Sequence, residues 1–292
     1  MTALWITLTV VVAVAAAVRG TWSPCGLSMV SAINPMAERT RGHRYAVTCA
    51  WFVAGALAGG AALGALMAVP AAGIRALGAG FVAVGSTADG SQGASPVGID
   101  GAWGLALAGL VAVLAFVDDS VPRPFLPRIT RQVNEEWLAA YRRWIYAGGF
   151  GAQIGFGFAT YVMTAANVLL VALAAGSGSP RLALLLGVAF GAVRGLSVLA
   201  TAGVNSPDAL YSVHRRLEAW AAPSLRVLRA VSACSAVVLL AGAAWVATDS
   251  VRVSLLVVAA AAVAAGGAVA ALRRRSGGPD RACALVPTVP LR

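Results

Sequence analysis

Residues 4–34 read "LWITLTVVVAVAAAVRGTWSPCGLSMVSAIN". Residues 4–18 form an apolar run, and the apolar pattern resumes at Val30. Between the two stand Arg19, Gly20, Ser23, Pro24, Cys25 and Gly26. A helix in hydrocarbon satisfies its own backbone, and unwound chain is tolerated there only when packed in protein or facing a wet cavity. The interruption therefore decides the fold. It is either the end of a membrane segment or a discontinuity built into one.

The rest of the chain favours the second. Its 292 residues are 59% hydrophobic and only 11% charged, with a mean hydropathy of +0.81. A soluble domain would carry about 25% charged residues. Several uncharged runs of about 20 residues are long enough to cross a hydrocarbon core about 30 Å thick. The expectation is an all-α, polytopic transmembrane helical bundle in a lipid bilayer. A net charge of +11 would suit nucleic acid in a soluble protein, but these basic residues sit in short connections, where they report topology. No nucleic-acid partner is expected. No Arg or Lys precedes the first run, so it lacks the positive region of a secretory signal and is read as a retained span. Cys25, Cys49, Cys234 and Cys283 form no CxxC pair, and His43 and His214 fall in connections. That pattern shows no zinc-type site and no hydrolytic triad, and no cofactor is expected.

Seven spans are expected: 3–35 (interrupted), 45–69, 101–117, 145–175, 181–203, 225–248 and 251–272. Pro70 is expected to end the second, because proline lacks an amide donor and clashes with the preceding turn. Residues 71–85 are apolar but short and contain Arg75; they fit an interfacial piece, a re-entrant piece or a bent extension of the second span. Residues 86–100 read as a polar loop. With this layout 17 arginines fall on one side, in and beside connections 36–44, 118–144 and 204–224 and the tail 273–292, against three on the other. Such a bias puts the Arg-rich side, and the C-terminus, in the cytoplasm and the N-terminus outside.

Transporters are often built from inverted repeats with discontinuous helices. Here "SPCGLSMVSAIN" precedes a Gly-rich span, and "AQIGFGFATYVMTAAN" precedes another. Laying Gly26 on Gly155 puts Pro24 opposite Gln153 and Cys25 opposite Ile154. In the spans that follow, matched separately, Gly55 and Gly59 fall opposite Gly191 and Gly195, each pair a GxxxG suited to close helix packing. The domain reading is a first three-helix repeat over 1–117, an amphipathic cytoplasmic linker over 118–144 and a second repeat over 145–248. An extra helix over 249–272 and a basic, disordered tail over 273–292 complete it. The first and fourth spans are the discontinuous ones. Trp137, Tyr141 and Trp144 beside Arg142 and Arg143 suit a helix at headgroup level, and 208–229 reads the same way.

A first span broken at Ser23-Pro24-Cys25, a Gly-rich second span and a 3+3 inverted repeat resemble the transmembrane domain of the cytochrome c biogenesis (CcdA) and thiol–disulfide interchange (DsbD) family. That family lies within a larger group that includes small-solute and metal exporters. The resemblance covers about residues 3–203. It implies electron transfer through two cysteines, one per repeat. Cys25 matches the first, and no cysteine stands in "GAQIGFGFA" to match the second. A lone thiol closes no intramolecular disulfide with a missing partner.

The candidate chemistry gathers at both breaks. Pro24 would free a backbone carbonyl and Gly26 would permit unusual dihedrals, exposing the Cys25 thiol to a soft metal or a thiol carrier, against the plainer reading of a small buried residue at a kink. All eleven Asp and Glu fall in connections or at span ends, so Arg19 and Arg194, deep in spans, lack an internal carboxylate and would bind an anionic substrate or meet freed carbonyls. Gln153, Thr160, Thr164 and Asn167 fall on one helical face, where they line a route or bond neighbouring helices. Ser23 and Gly155 complete the candidate pathway. The expected function is transport or export of a small solute or metal by a multi-pass cytoplasmic-membrane protein, more a carrier than an enzyme. Thiol–disulfide transfer or cofactor maturation through Cys25, with a thioredoxin-like partner, stays open. So does a non-catalytic assembly role within a membrane complex.

Overall fold

The computed structural model describes residues 2–85, 102–126, 136–160 and 162–275. The polar loop 86–100, the middle of the linker, Tyr161 and the tail after 275 lie outside the described residues. Every regular element among the described residues is helical. The chain runs α1 (Thr2–Arg19), α2 (Pro24–Ala32), α3 (Pro35–Thr40), α4 (Tyr45–Gly85) and α5 (Ala102–Ser120). It continues through α6 (Trp137–Ala140), α7 (Arg143–Phe156), α8 (Ala166–Gly176), α9 (Pro180–Leu196), α10 (Pro207–Thr248) and α11 (Val251–Arg275).

Six described stretches are long and apolar enough to cross a membrane, from Ala3–Trp22 to Val251–Arg274. The protein is a multi-pass membrane helical bundle. The fourth expected span is the exception. At 1.5 Å per residue, α7 and α8 reach only about 21 and 16 Å, so neither crosses alone. They abut a non-helical stretch that starts at Gly157, whose φ of 75° places it in the left-handed region that favours glycine. The first span is interrupted too: a 3-10 turn, Gly20–Trp22, and an extended Ser23 part α1 from α2.

Pro70 does not end the second span. The helix runs through it to Gly85. Unwinding in hydrocarbon strands several amides, whereas one interior proline loses a single bond, so the continuous helix is the cheaper solution. Residues 71–85 are thus a helical extension of α4. Residues 207–224 likewise join the sixth span in the single 42-residue helix α10, with Pro223 inside it.

α4 lies between α7 and α9, and glycines set the distances. A Cβ on Gly55 or Gly59 would meet the backbone of Gly148 or Ala152 in α7, and one on Gly151 or Gly155 would meet that of Phe52 or Ala56. The same helix meets α9 through Gly60 and Gly64, which face Gly187, Gly191 and Leu184; Gly195 faces the Ala56 Cβ. Two small-residue stripes one residue apart let one helix touch two neighbours at backbone contact. Elsewhere the core is aliphatic, with Leu63, Met67, Leu169, Leu173 and Leu186 closing around α8.

Candidate functional site

The first break is an ordered helix start. Ser23 is extended and caps α2, its Oγ accepting the Gly26 amide at 3.1 Å, while Pro24 occupies the first helical position, where no amide is needed. This corrects two expectations. Pro24 starts a helix rather than freeing a carbonyl within one. Gly26 is helical, and its use is proximity: a Cβ there would strike the Thr21 carbonyl. Cys25 sits buried in the first turn of α2, 1% exposed.

The two breaks meet on one face of α9. A Cβ on Gly157, at the end of α7, would fall 2.7 Å from the Phe190 ring. One turn further, the Arg194 guanidinium lies 5.7 Å from the centre of that ring. It then rests against Gly20, where a Cβ would fall 2.5 Å from Nη1 and 2.6 Å from Cζ. Nη2 donates to the Gly20 carbonyl at 3.5 Å, the far limit of a hydrogen bond. Arg194 is 3% exposed, and Cys25 lies within its electrostatic reach. Among the described residues no carboxylate comes within ion-pair distance of it.

Arg19 goes elsewhere. Its Nη1 donates to Ser224 Oγ at 3.2 Å and faces the Ala221 carbonyl at 3.4 Å, while Trp22 Nε1 donates to the Leu217 carbonyl at 2.7 Å. The front of α10 therefore braces the first break along one side. Its other side exposes Tyr211, Trp220, Arg215 and Arg216.

The polar set of the fourth span does not share one helical face, because the helix is absent where the spacing was counted. Gln153 is half-buried on α7, Thr160 and Thr164 lie in the break, and Asn167 opens α8. Thr164 donates to Asp119, which also accepts the Ala165 amide at 3.1 Å, so a carboxylate from the end of α5 caps α8. Thr160 Oγ1 and Asn167 Oδ1 are buried with no hydrogen-bond partner among the described residues. The register that paired Gly26 with Gly155 fails locally, since Gly26 follows its break and Gly155 precedes its own.

Sequence reasoning placed every acid in connections or at span ends and missed a buried one. Glu38, in α3, is 0% exposed. Arg41 Nη1 lies at 2.9 Å, the Tyr146 hydroxyl at 3.1 Å from both oxygens and His43 Nδ1 at 3.6 Å, and Thr48 also donates to it. The cluster joins α3 and α4 to α7. Beside it Tyr45 donates to the Val198 carbonyl at 2.9 Å, and Thr201 to that of Ile33 at 2.9 Å. Asn34 is the available signal: it caps a helix with proline first and glutamate in its first turn.

A crevice of about 240 Å³ opens between α5, α10 and α11, walled by Phe116, Val237, Leu240 and small residues. Its lining is almost wholly apolar, which suits an acyl chain rather than an oriented polar solute. Among the described residues no three His, Cys, Asp or Glu side chains converge.

No family model matches the chain, and no solved structure matches it. The chain is similar to the methylamine utilization protein MauF of Paracoccus denitrificans, with 30% identity over 213 residues, 72% of this chain and 66% of that protein. It is similar also to MauF of Paracoccus versutus, with 30% identity over 164 residues, 54% of this chain and 52% of the relative. The chain thus spans between about half and just under two thirds of the length of these relatives. The relation that these matches show is a distant one to a membrane-protein family.

Proposed function

We propose that the chain is a transport protein of the cytoplasmic membrane, with its route for a small solute passing between the two helix breaks. One observation carries this reading: two discontinuous spans converge on Phe190 and Arg194 of a third helix, and the convergence buries a charge. Broken helices in a bilayer exist where they line a cavity, and intramembrane cations mark substrate pathways. The two halves, 1–117 and 145–248, act as inverted repeats of CcdA-like architecture. The arginine bias orients the chain with the Glu38 cluster near the cytoplasm and the C-terminus inside. The test is osmotic swelling of proteoliposomes in a panel of small solutes. Faster swelling than in protein-free vesicles for at least one solute, lost in Arg194→Ala, is the expected result. Equal rates with and without protein would refute the route, and normal swelling in the variant would remove Arg194 from it.

A second reading rests on the relatives' name. The chain then serves methylamine utilization as a maturation or assembly factor, with Cys25 exchanging disulfides with a thioredoxin-like partner. Mixed-disulfide trapping that Cys25→Ser abolishes is its signature. Wild-type protein that traps no partner counts against it.

A further inference from the structure

Arg194 has five N–H donors and, among the described residues, one acceptor at 3.5 Å. It is 3% exposed, with an aromatic face on one side and a bare glycine Cα on the other. A buried guanidinium without a counter-charge is costly, and such groups are otherwise paired or hydrogen-bonded. The Glu38 cluster in the same molecule shows how the fold satisfies a buried charge when it only stabilises. Arg194 receives no such shell. Phe190, the ring against it, offers only a weak quadrupole.

We infer that Arg194 is the binding group for a small, singly charged oxyanion of the carboxylate type, held at the junction of the two breaks. This rests on the reading of those breaks as a route, and it assigns the class of solute. The charge follows from the count of cations. Arg19, the other arginine placed deep in a span, is turned toward Ala221 and Ser224, so one guanidinium stands at the junction and one negative charge neutralises it. The shape follows from the donor. The planar fork of a guanidinium matches two coplanar acceptor oxygens, and such bidentate pairs are among the strongest charge-assisted bonds. The N-terminal turn of α2 borders the same place, since a Cβ on Gly26 would fall 3.1 Å from the Gly20 oxygen that Arg194 reaches, and the positive end of that helix favours an anion further. A metal cation would be repelled there by the guanidinium and by the positive end of α2. The size limit follows from the packing: Arg194 and Phe190 already occupy the space that side chains on Gly20 and Gly157 would need, so only a small anion fits beside the guanidinium.

The experiment is thermal unfolding of the purified full chain, titrated with acetate against sulfate at constant ionic strength. Wild type should gain stability saturably with acetate and not with sulfate, as a ligand that binds only the folded state requires. Arg194→Met should abolish the dependence, and Arg194→Lys should weaken the apparent affinity by about tenfold, because a point charge cannot form the bidentate pair. Gly20→Ala, which pushes a methyl into the guanidinium, provides a second variant should Arg194→Met not fold, and should raise the apparent dissociation constant by a similar factor. No acetate dependence in wild type, or the same dependence in Arg194→Met, overturns the inference. The swelling assay separates this from the route itself. Loss of flux in Arg194→Ala with no acetate effect in wild type overturns the solute class and leaves the route standing. A saturable, Arg194-dependent acetate effect in a protein that moves nothing upholds the site and refutes the route.

Discussion

Glu38 and Arg194 are both buried ionisable residues, at 0% and 3% exposure, and the fold treats them in opposite ways. Glu38 is enclosed by Arg41, His43, Thr48 and Tyr146, drawn from its own turn, from α4 and from α7. Among the described residues Arg194 meets one marginal carbonyl and one ring. A shell of donors makes a buried charge structural, holding the two halves of the chain together. A charge without such a shell is poised for something that the chain does not supply. Glu38 should therefore matter to stability, and Arg194 to function.

Four substitutions break or sharpen that contrast. Glu38→Ala should cost about 3 kcal/mol of unfolding free energy, toward the lower end for a broken buried pair because Arg41 is partly exposed and can rehydrate. Chemical unfolding in detergent micelles measures it, and a cost below about 1 kcal/mol would deny Glu38 its structural role. Gly59→Val should cost about 2 kcal/mol by wedging α4 from α7, whose Ala152 carbonyl occupies the space a side chain needs; an unchanged melting curve would contradict the observed packing. Tyr146→Phe removes one donor from Glu38 and should cost about 1 kcal/mol, with no change in swelling rates. Arg194→Met should be smallest and of opposite sign. Replacing a buried, poorly paired charge by an apolar chain is neutral or raises stability by about 1 kcal/mol, while flux disappears. A loss as large as that of Glu38→Ala would erase the distinction.

The break at residues 20–23 was legible because Gly20, Pro24 and Gly26 punctuate an apolar run, and punctuation survives any tertiary context. Its form was not, since Ser23-Pro24 reads equally as a kink or as a capped helix start. Pro70 misled for a related reason: the rule that proline ends a helix is calibrated in water, and hydrocarbon raises the cost of ending one. The stripe from Gln153 to Asn167 assumed 3.6-residue periodicity across residues that are not helical. Arg194 stood out as a charge inside a span, but its destination, Gly20, lies 174 residues away. Glu38 was passed over because an acid in a short polar connection looks solvated, and only the fold reveals Tyr146 closing over it.

The central claim is that the breaks line a path open to water in some state of the protein, although Cys25 is buried here. Its most direct test leaves Cys25 as the sole cysteine, with Cys49, Cys234 and Cys283 replaced by alanine, and follows labelling in intact vesicles by a small, membrane-impermeant thiol reagent. The account predicts slow, complete modification, sensitive to substitution of Arg194. A thiol that stays unmodified from both sides of the membrane, and reacts only after denaturation, would contradict it.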